Sequence, residues 1–162
     1  MNIFAVEKCP HKAAQALPDK LVVKMPLESA QMLCTAHRVL SGDEYCDERG
    51  MYKTAHINHP CSIWTRASDA NYYWLFEHFA ALCEEYTKRY NKVHLSQTKL
   101  FDALLELPLN IKHGKLTKFA LAMPDQYKEP NDPILSYRQY MIAEKEYALW
   151  TKGTPKPKWW KD

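Results

Sequence analysis

The chain has 162 residues, 46% of them hydrophobic, which suffices for one domain that buries roughly two-thirds of its unfolded surface. No stretch approaches the ~20 apolar residues of a membrane-spanning helix, and no signal peptide opens the sequence, so we expect neither a membrane span nor secretion. The net charge of +3 is too small to indicate nucleic-acid binding by itself, and five scattered cysteines favour reduced thiols and a cytoplasmic location.

The composition predicts an all-α fold. Only four glycines occur, runs of β-branched residues are few, and several long segments repeat apolar residues at helical spacing. We find no internal repeat and no domain boundary. We therefore expect a single compact domain over residues 1–162, with about four main helices, long loops and an extended, basic and aromatic tail over 151–162.

The N-terminal part should hold an apolar opening, a short helix and a long helix. The apolar residues within 1–6 are expected to pack against the core, and residues 10–17 can form a short helix that starts with proline. Asp19 lies in a capping position ahead of an apolar run, which predicts a central helix to about residue 40. Pro26 lies inside this helix, removes a backbone hydrogen bond and should kink it.

The middle of the chain should form an exposed loop, a short connection and a second long helix. Residues 41–52 contain two glycines and four acids, which is typical of a loop, and 56–64 predict a connection between aromatic residues rather than a long element. Ser68 or Asp69 should cap a strong amphipathic helix that reaches Tyr90.

The last part predicts two shorter helices and a long loop. Ser96 should cap a helix that ends near Pro108. Residues 110–131 contain glycine and prolines and are predicted as mainly loop, and a final helix should run over about 133–150.

One face of the central helix carries charged and polar side chains in a pattern that is compatible with acid–base catalysis. Lys20, Lys24, Glu28 and Gln31 lie about one helical turn apart and project to the same side. A carboxylate next to a helix bend, with lysines on the preceding turns, can serve as an acid or base. An ordinary solvent-exposed Glu–Lys pair explains the same spacing.

A second candidate site surrounds the sequence His59-Pro60. A rigid turn that presents a histidine near Trp64 and Arg66 can form the floor of a pocket. A buried tryptophan with hydrogen-bonded polar neighbours is an equally good interpretation.

Basic residues are interleaved with aromatic ones in four places. Lysine and arginine neutralise phosphates while aromatic rings stack on exposed bases, so the mixture suits a nucleic-acid partner. Amphipathic helices of many soluble proteins share it. The four places are residues 52–53, 115–119, 137–140 and the tail.

Soft metal ligands occur in three close pairs, but without the paired spacing typical of zinc sites. Buried cysteines and hydrogen-bonded histidines are the simpler interpretation. The pairs are Cys9 with His11, Cys34 with His37, and Cys61 with His59.

The central helix resembles the catalytic helix of the pyrimidine-dimer DNA glycosylase family, the phage endonuclease V-like proteins. In that family an Asp near the helix start precedes the catalytic Glu by nine positions, as Asp19 precedes Glu28 here. A bacterial branch of the family is similar in its later His-Pro pair and in a Trp four residues after that Pro, matched by His59-Pro60 and Trp64. The aliphatic, Cys and Tyr positions within 75–86 are similar too. The likeness spans roughly residues 1–90, and the lysine-rich aromatic tail is a looser match.

The resemblance implies a DNA glycosylase with AP-lyase activity on damaged or modified pyrimidines. In the family, the N-terminal α-amine attacks the sugar C1′ and expels the base through a Schiff-base intermediate, which the Glu stabilises. Asn2 is large enough to prevent removal of the initiator methionine, so either the resemblance implies a catalytic pair of Met1 and Glu28 or the family's amine nucleophile is absent here. It implies no metal or other cofactor. The family's arginines beside the Glu are replaced here by Leu27 and Gln31.

The expected partner is double-stranded DNA, bound by a monomer. The candidate DNA contacts are Lys20, Lys24, Gln31, Arg38, His59 and Arg66. Two alternatives remain at this level. One is a non-catalytic nucleic-acid-binding or interaction protein of phage-like origin, in which Glu28 only forms a salt bridge, and the other is a domain held together by zinc.

Overall fold

The computed structural model describes residues 1–161, and the regular structure within that range is helical, without a strand. The predicted all-α class is confirmed. The four longest helices are those expected, and three helices of six or seven residues add to them. In chain order the helices are α1 (Pro10–Ala16), α2 (Asp19–Ser41), α3 (Asp43–Glu48), α4 (Pro60–Arg66), α5 (Asp69–Tyr90), α6 (Leu95–Leu105) and α7 (Pro133–Glu144), with a 3-10 turn at Asp125–Tyr127.

The two long helices, α2 and α5, form the centre of the protein. They pack against each other, α1 packs against α5, and α4 and α6 pack against α2. The contact faces carry apolar side chains three or four residues apart, such as Leu21 and Met25 on α2 and Leu75 and Phe79 on α5, which are all buried. The predicted helical periodicity therefore identified the core faces of both helices.

The N-terminal segment, residues 2–6, is buried in this core. Ile3, Ala5 and Val6 have no exposed surface, as expected for an apolar opening. Phe4 adopts a positive φ of 42°, and its ring packs against Tyr137 and Tyr140 of α7. A left-handed backbone at a bulky residue costs free energy, so the surrounding packing must hold the segment in this bend.

The structure corrects one predicted loop, 41–52, and shows that the short connection predicted at 56–64 includes part of a short helix. The segment 41–52 contains α3, because Arg38 donates hydrogen bonds to both Asp43 and Asp47 and Cys46 is buried. The segment 56–64 contains the start of α4, which Pro60 opens and His59 caps.

Three helix ends also differ from prediction. Pro18, not Asp19, is the N-cap of α2, and His94, not Ser96, caps α6 by accepting the Ser96 N–H. The last helix ends at Glu144 rather than near residue 150. Ser68, one of the two predicted caps, is the N-cap of α5, and Asp69 is its first residue. α2 continues through Pro26, and the predicted kink there stays a prediction.

None of the helices within 1–161 is long and apolar enough to cross a membrane.

Candidate active site

Glu28 lies on α2 with its carboxylate held from two sides. The residue is 8% exposed. Its Oε1 lies 3.1 Å from the Nζ of Lys24, one helical turn earlier, and the Lys24 side chain is 65% exposed. Lys24 thus reaches the carboxylate from solvent, and the pair is not sealed inside the protein.

The N-terminus approaches the other carboxylate oxygen. The Met1 nitrogen lies 3.6 Å from Glu28 Oε2, and the backbone N–H of Asn2 donates to the same oxygen at 3.0 Å. The Met1 side chain is only 2% exposed although the residue as a whole is half-buried, so solvent reaches its main chain, which carries the amine. The arrangement presents an accessible primary amine beside an oriented carboxylate.

Asn2 fixes the direction in which the chain enters this site. Its Oδ1 accepts the N–H groups of Ile3 and Phe4, and its Nδ2 donates to the Ala122 carbonyl at 2.8 Å. Because the side chain folds back onto the next two residues, it stabilises the bend at Phe4. Sequence reasoning missed this role, although asparagine's preference for such turns was an available signal.

His59, at the start of α4, lies near the N-terminal amine of Met1. Its Nδ1 accepts the Cys61 N–H at 3.1 Å, which caps the helix and leaves Nε2 to carry the proton of the neutral ring. Burial, and then the positive charge of the N-terminal amine, lower the pKa of His59. A neutral imidazole beside the amine is the form expected at neutral pH.

Cys61 forms part of the wall behind the amine. Its Sγ lies 3.9 Å from the hydroxyl of Tyr137, and burial raises the pKa of the thiol to about 11. The sulfur therefore stays a protonated thiol rather than a thiolate nucleophile.

Besides His59, four of the predicted DNA-contact residues have side chains that are at least partly exposed to solvent. Lys20 and Lys24 are exposed on α2, and Gln31 on the same helix is half-buried. Arg66 on α4 is half-buried and donates to the Ile57 carbonyl at 2.8 Å. These side chains remain candidates for contact with a phosphate backbone.

Arg38 lies in a different environment from the other predicted DNA contacts. Its side chain is 2% exposed and makes hydrogen bonds to Asp43, Asp47 and the carbonyls of residues 51 and 52. The guanidinium is used to hold α3 against α2. It has no surface left for a phosphate, so we leave it out of the DNA-contact set.

The three Cys/His pairs do not form a metal centre among residues 1–161, where no cluster of three or more His, Cys, Asp or Glu side chains could hold an ion. Burial raises the pKa of Cys34 to about 12 and lowers that of His37 to about 4. His37 instead meets the Tyr72 hydroxyl at 2.8 Å inside the core. These groups have the environment of core residues.

The fold and the site together define an all-α protein with an amine–carboxylate pair at the N-terminus of its chain. A family model described as pyrimidine dimer DNA glycosylase matches residues 1–98, which is more than half of the sequence. The chain belongs to the pyrimidine dimer DNA glycosylase family, whose substrate is DNA. Searches of curated proteins and of solved structures found no significant match.

Proposed function

We propose that this protein is a DNA glycosylase with AP-lyase activity, and that Met1 and Glu28 are its catalytic residues. The observation that carries the proposal is the distance of 3.6 Å between the Met1 nitrogen and Glu28 Oε2. An α-amine holds its proton less tightly than a lysine side chain does, so more of it is a neutral nucleophile at pH 7. The substrate we propose is a damaged or modified pyrimidine in double-stranded DNA.

In the proposed reaction, the neutral Met1 amine attacks C1′ of the lesion nucleotide. The bond from C1′ to the base breaks, and the base leaves with a proton while the amine nitrogen bonds to C1′. The bond from C1′ to the ring oxygen O4′ then breaks, O4′ takes up a proton, and the nitrogen forms a positively charged iminium with C1′. Removal of a C2′ proton then eliminates the 3′ phosphate, and water hydrolyses the imine to free the enzyme. In this proposal Glu28 accepts the amine proton and stabilises the iminium charge, and the 3.6 Å between its Oε2 and the nitrogen supports both roles.

The DNA would lie along α2 and α4. Lys24 and Gln31 follow Lys20 by four and eleven residues, so the three side chains share one face of α2, which also holds Glu28. His59 and Arg66 lie at the two ends of α4, which packs on α2, and we propose that they contact the same duplex. Positive side chains around the carboxylate can bind phosphates on either side of a nucleotide moved out of the duplex. We propose that one protein molecule binds the duplex.

Borohydride trapping on a duplex with an abasic site tests the proposal. We expect a covalent protein–DNA adduct, and we expect Glu28→Gln to lower the trapping rate by about 10²–10⁴ because it removes the proton acceptor. Glu77→Gln on the exposed side of α5 is a matched control and should leave the rate unchanged. Absence of any adduct would rule out the lyase mechanism and favour a DNA-binding role without covalent chemistry.

The position of the adduct distinguishes Met1 from the other amine at the site. Lys24 Nζ is 3.1 Å from Glu28 Oε1 and is the competing nucleophile. Digestion of the trapped complex and mass spectrometry should place the sugar on the Met1 nitrogen, and Lys24→Gln should still give an adduct. A sugar on Lys24 would overturn the assignment of Met1.

A further inference from the structure

A groove on the protein surface is lined by neither Met1 nor Glu28. Three adjacent cavities form it, with volumes of about 450, 390 and 630 Å³. The first and second share Lys8 and Ile134, and the second and third share Glu7 and Lys12. Each is large enough for a ligand of nucleotide size, and together they suit an extended chain rather than a small molecule.

The groove is strongly basic. Seven basic and two acidic side chains line it, an excess of five positive charges, whereas the whole protein has a net charge of +3. Both acids are already engaged. Glu7 pairs with Arg138 at 2.7 Å, and Asp132 accepts the Leu135 N–H as the cap of α7.

Most of the lysines are not neutralised by the protein. Lys8, Lys12, Lys88 and Lys158 are exposed, and none forms an ion pair with an acid in residues 1–161. A row of unneutralised positive charges along an open groove is the arrangement that attracts a polyanion.

Aromatic rings occur in two of the three cavities. Phe119 lines the first and Trp159 the third, and both are half-buried. The Phe119 ring packs against the rings of Trp64 and Trp74, and the Arg138 guanidinium lies 5.2 Å from the Trp159 ring. Rings held by such contacts offer fixed surfaces on which bases can stack, which a duplex cannot use because its bases are paired and stacked.

The groove and the amine lie at opposite ends of the buried segment 2–6. Met1 precedes this segment at Glu28, and Glu7 and Lys8 follow it in the groove. Much of the groove wall, residues 116–119, 131–134 and 154–159, lies outside the part of the chain that the family model matches. The groove is therefore a feature of this chain's C-terminal part.

We propose that the groove binds single-stranded DNA, with lysines on the phosphates and Phe119 and Trp159 as stacking surfaces. This site is separate from the catalytic pair and does not depend on its chemistry. A single strand bound there would keep the enzyme on DNA that is partly unpaired.

A fluorescently labelled dT₁₂ oligonucleotide and a salt titration test the proposal. The double substitution Lys12→Gln with Lys88→Gln should lower the slope of log K against log salt by about 1.4, since each phosphate contact in a single strand contributes about 0.7. The matched control is Lys99→Gln with Lys112→Gln, which removes the same charge at exposed positions outside the groove. The control should leave the slope unchanged, and an equal loss in both variants would overturn the proposal.

Two further measurements separate this proposal from the catalytic one. The groove double variant should give borohydride adducts on an abasic duplex at the unchanged rate. When an unlabelled abasic duplex occupies the catalytic site, dT₁₂ should stay bound in the groove. Full displacement of dT₁₂ by one equivalent of duplex would show a single shared site and overturn the groove proposal. A failure of trapping with normal dT₁₂ binding would instead refute the catalytic proposal alone.

Discussion

Replacing Arg89 should destabilise the protein more than most single substitutions. Its side chain has no exposed surface and donates to Glu85 Oε2 at 2.8 Å, to Asp19 Oδ1 at 3.1 Å and to the carbonyls of Gln15 and Leu17. One guanidinium thus joins the end of α1, the start of α2 and the end of α5. The Arg89→Met change leaves two nearly buried carboxylates without their cation.

The magnitude follows from what remains after the substitution. Breaking a buried ion pair by removing one partner costs about 3–5 kcal/mol. Asp19 keeps two donors from Thr151 and its place in the first turn of α2, and Glu85 keeps the Thr154 hydroxyl. We therefore expect a loss near 3 kcal/mol, which for a protein of this size lowers the melting temperature by about 6–12 °C.

Urea denaturation followed by far-ultraviolet circular dichroism measures this loss directly. Lys88→Met is the matched control, because it removes a positive charge from the neighbouring, exposed position, and it should stay within about 0.5 kcal/mol. Arg89→Lys should fall between the two, since an ammonium cannot reproduce the planar fork of donors. A loss below 1 kcal/mol for Arg89→Met would refute the conclusion that this network holds the three helix ends together.

Three other expectations concern acid stability, the N-terminus and the DNA face. Burial lowers the pKa of His37 and His78 to about 4 from an ordinary 6.5. Between pH 7 and 5 the unfolded chain therefore binds two protons that the folded protein does not bind. The free energy of unfolding should fall by about 4 kcal/mol over this range. Equal urea midpoints at the two pH values would contradict this. Asn2→Ala should permit removal of Met1 and move the trapped sugar to the nitrogen of residue 2, which lies 3.0 Å from the carboxylate, and intact mass and peptide mapping report both events. Leu27→Arg, at a residue 42% exposed next to Glu28, should steepen the salt dependence of duplex binding by about 0.9, and an unchanged slope would place Leu27 away from the DNA.

The elements that sequence could predict are those whose signals are local. The apolar periodicity of α2 and α5, the Ser68 cap and the proline starts of α1 and α7 depend on residues within one or two turns, and the structure confirms them. Sequence also singled out Glu28 and the Lys24 beside it on the same helix face. Such features need no knowledge of distant contacts.

The elements that sequence missed depend on contacts between distant parts of the chain. α3 looked like an acidic loop because its anchor, Arg38, lies on another helix. The end of α7 was placed too late because Leu149 leaves helical structure to accept the Asp19 N–H at 2.9 Å. Arg38 itself was predicted as a DNA contact from its place in the sequence, but its partners Asp43 and Asp47 in α3 bury it. Periodicity reports which face is apolar but not which charged residue a distant segment will bury.

The amine–carboxylate pair depends on the part of the chain beyond the family match. Residues 1–98 contain Met1, Asn2 and Glu28, yet the Asn2 side chain is held by the carbonyl of Ala122. Phe4, whose bend directs the terminus toward Glu28, packs on Tyr137 in α7. A chain that ended at residue 98 would lack both supports and would expose core surface of α2 and α5. The part of the chain that identifies the family therefore contains the amine and the carboxylate, while the C-terminal segments help to hold those two groups 3.6 Å apart.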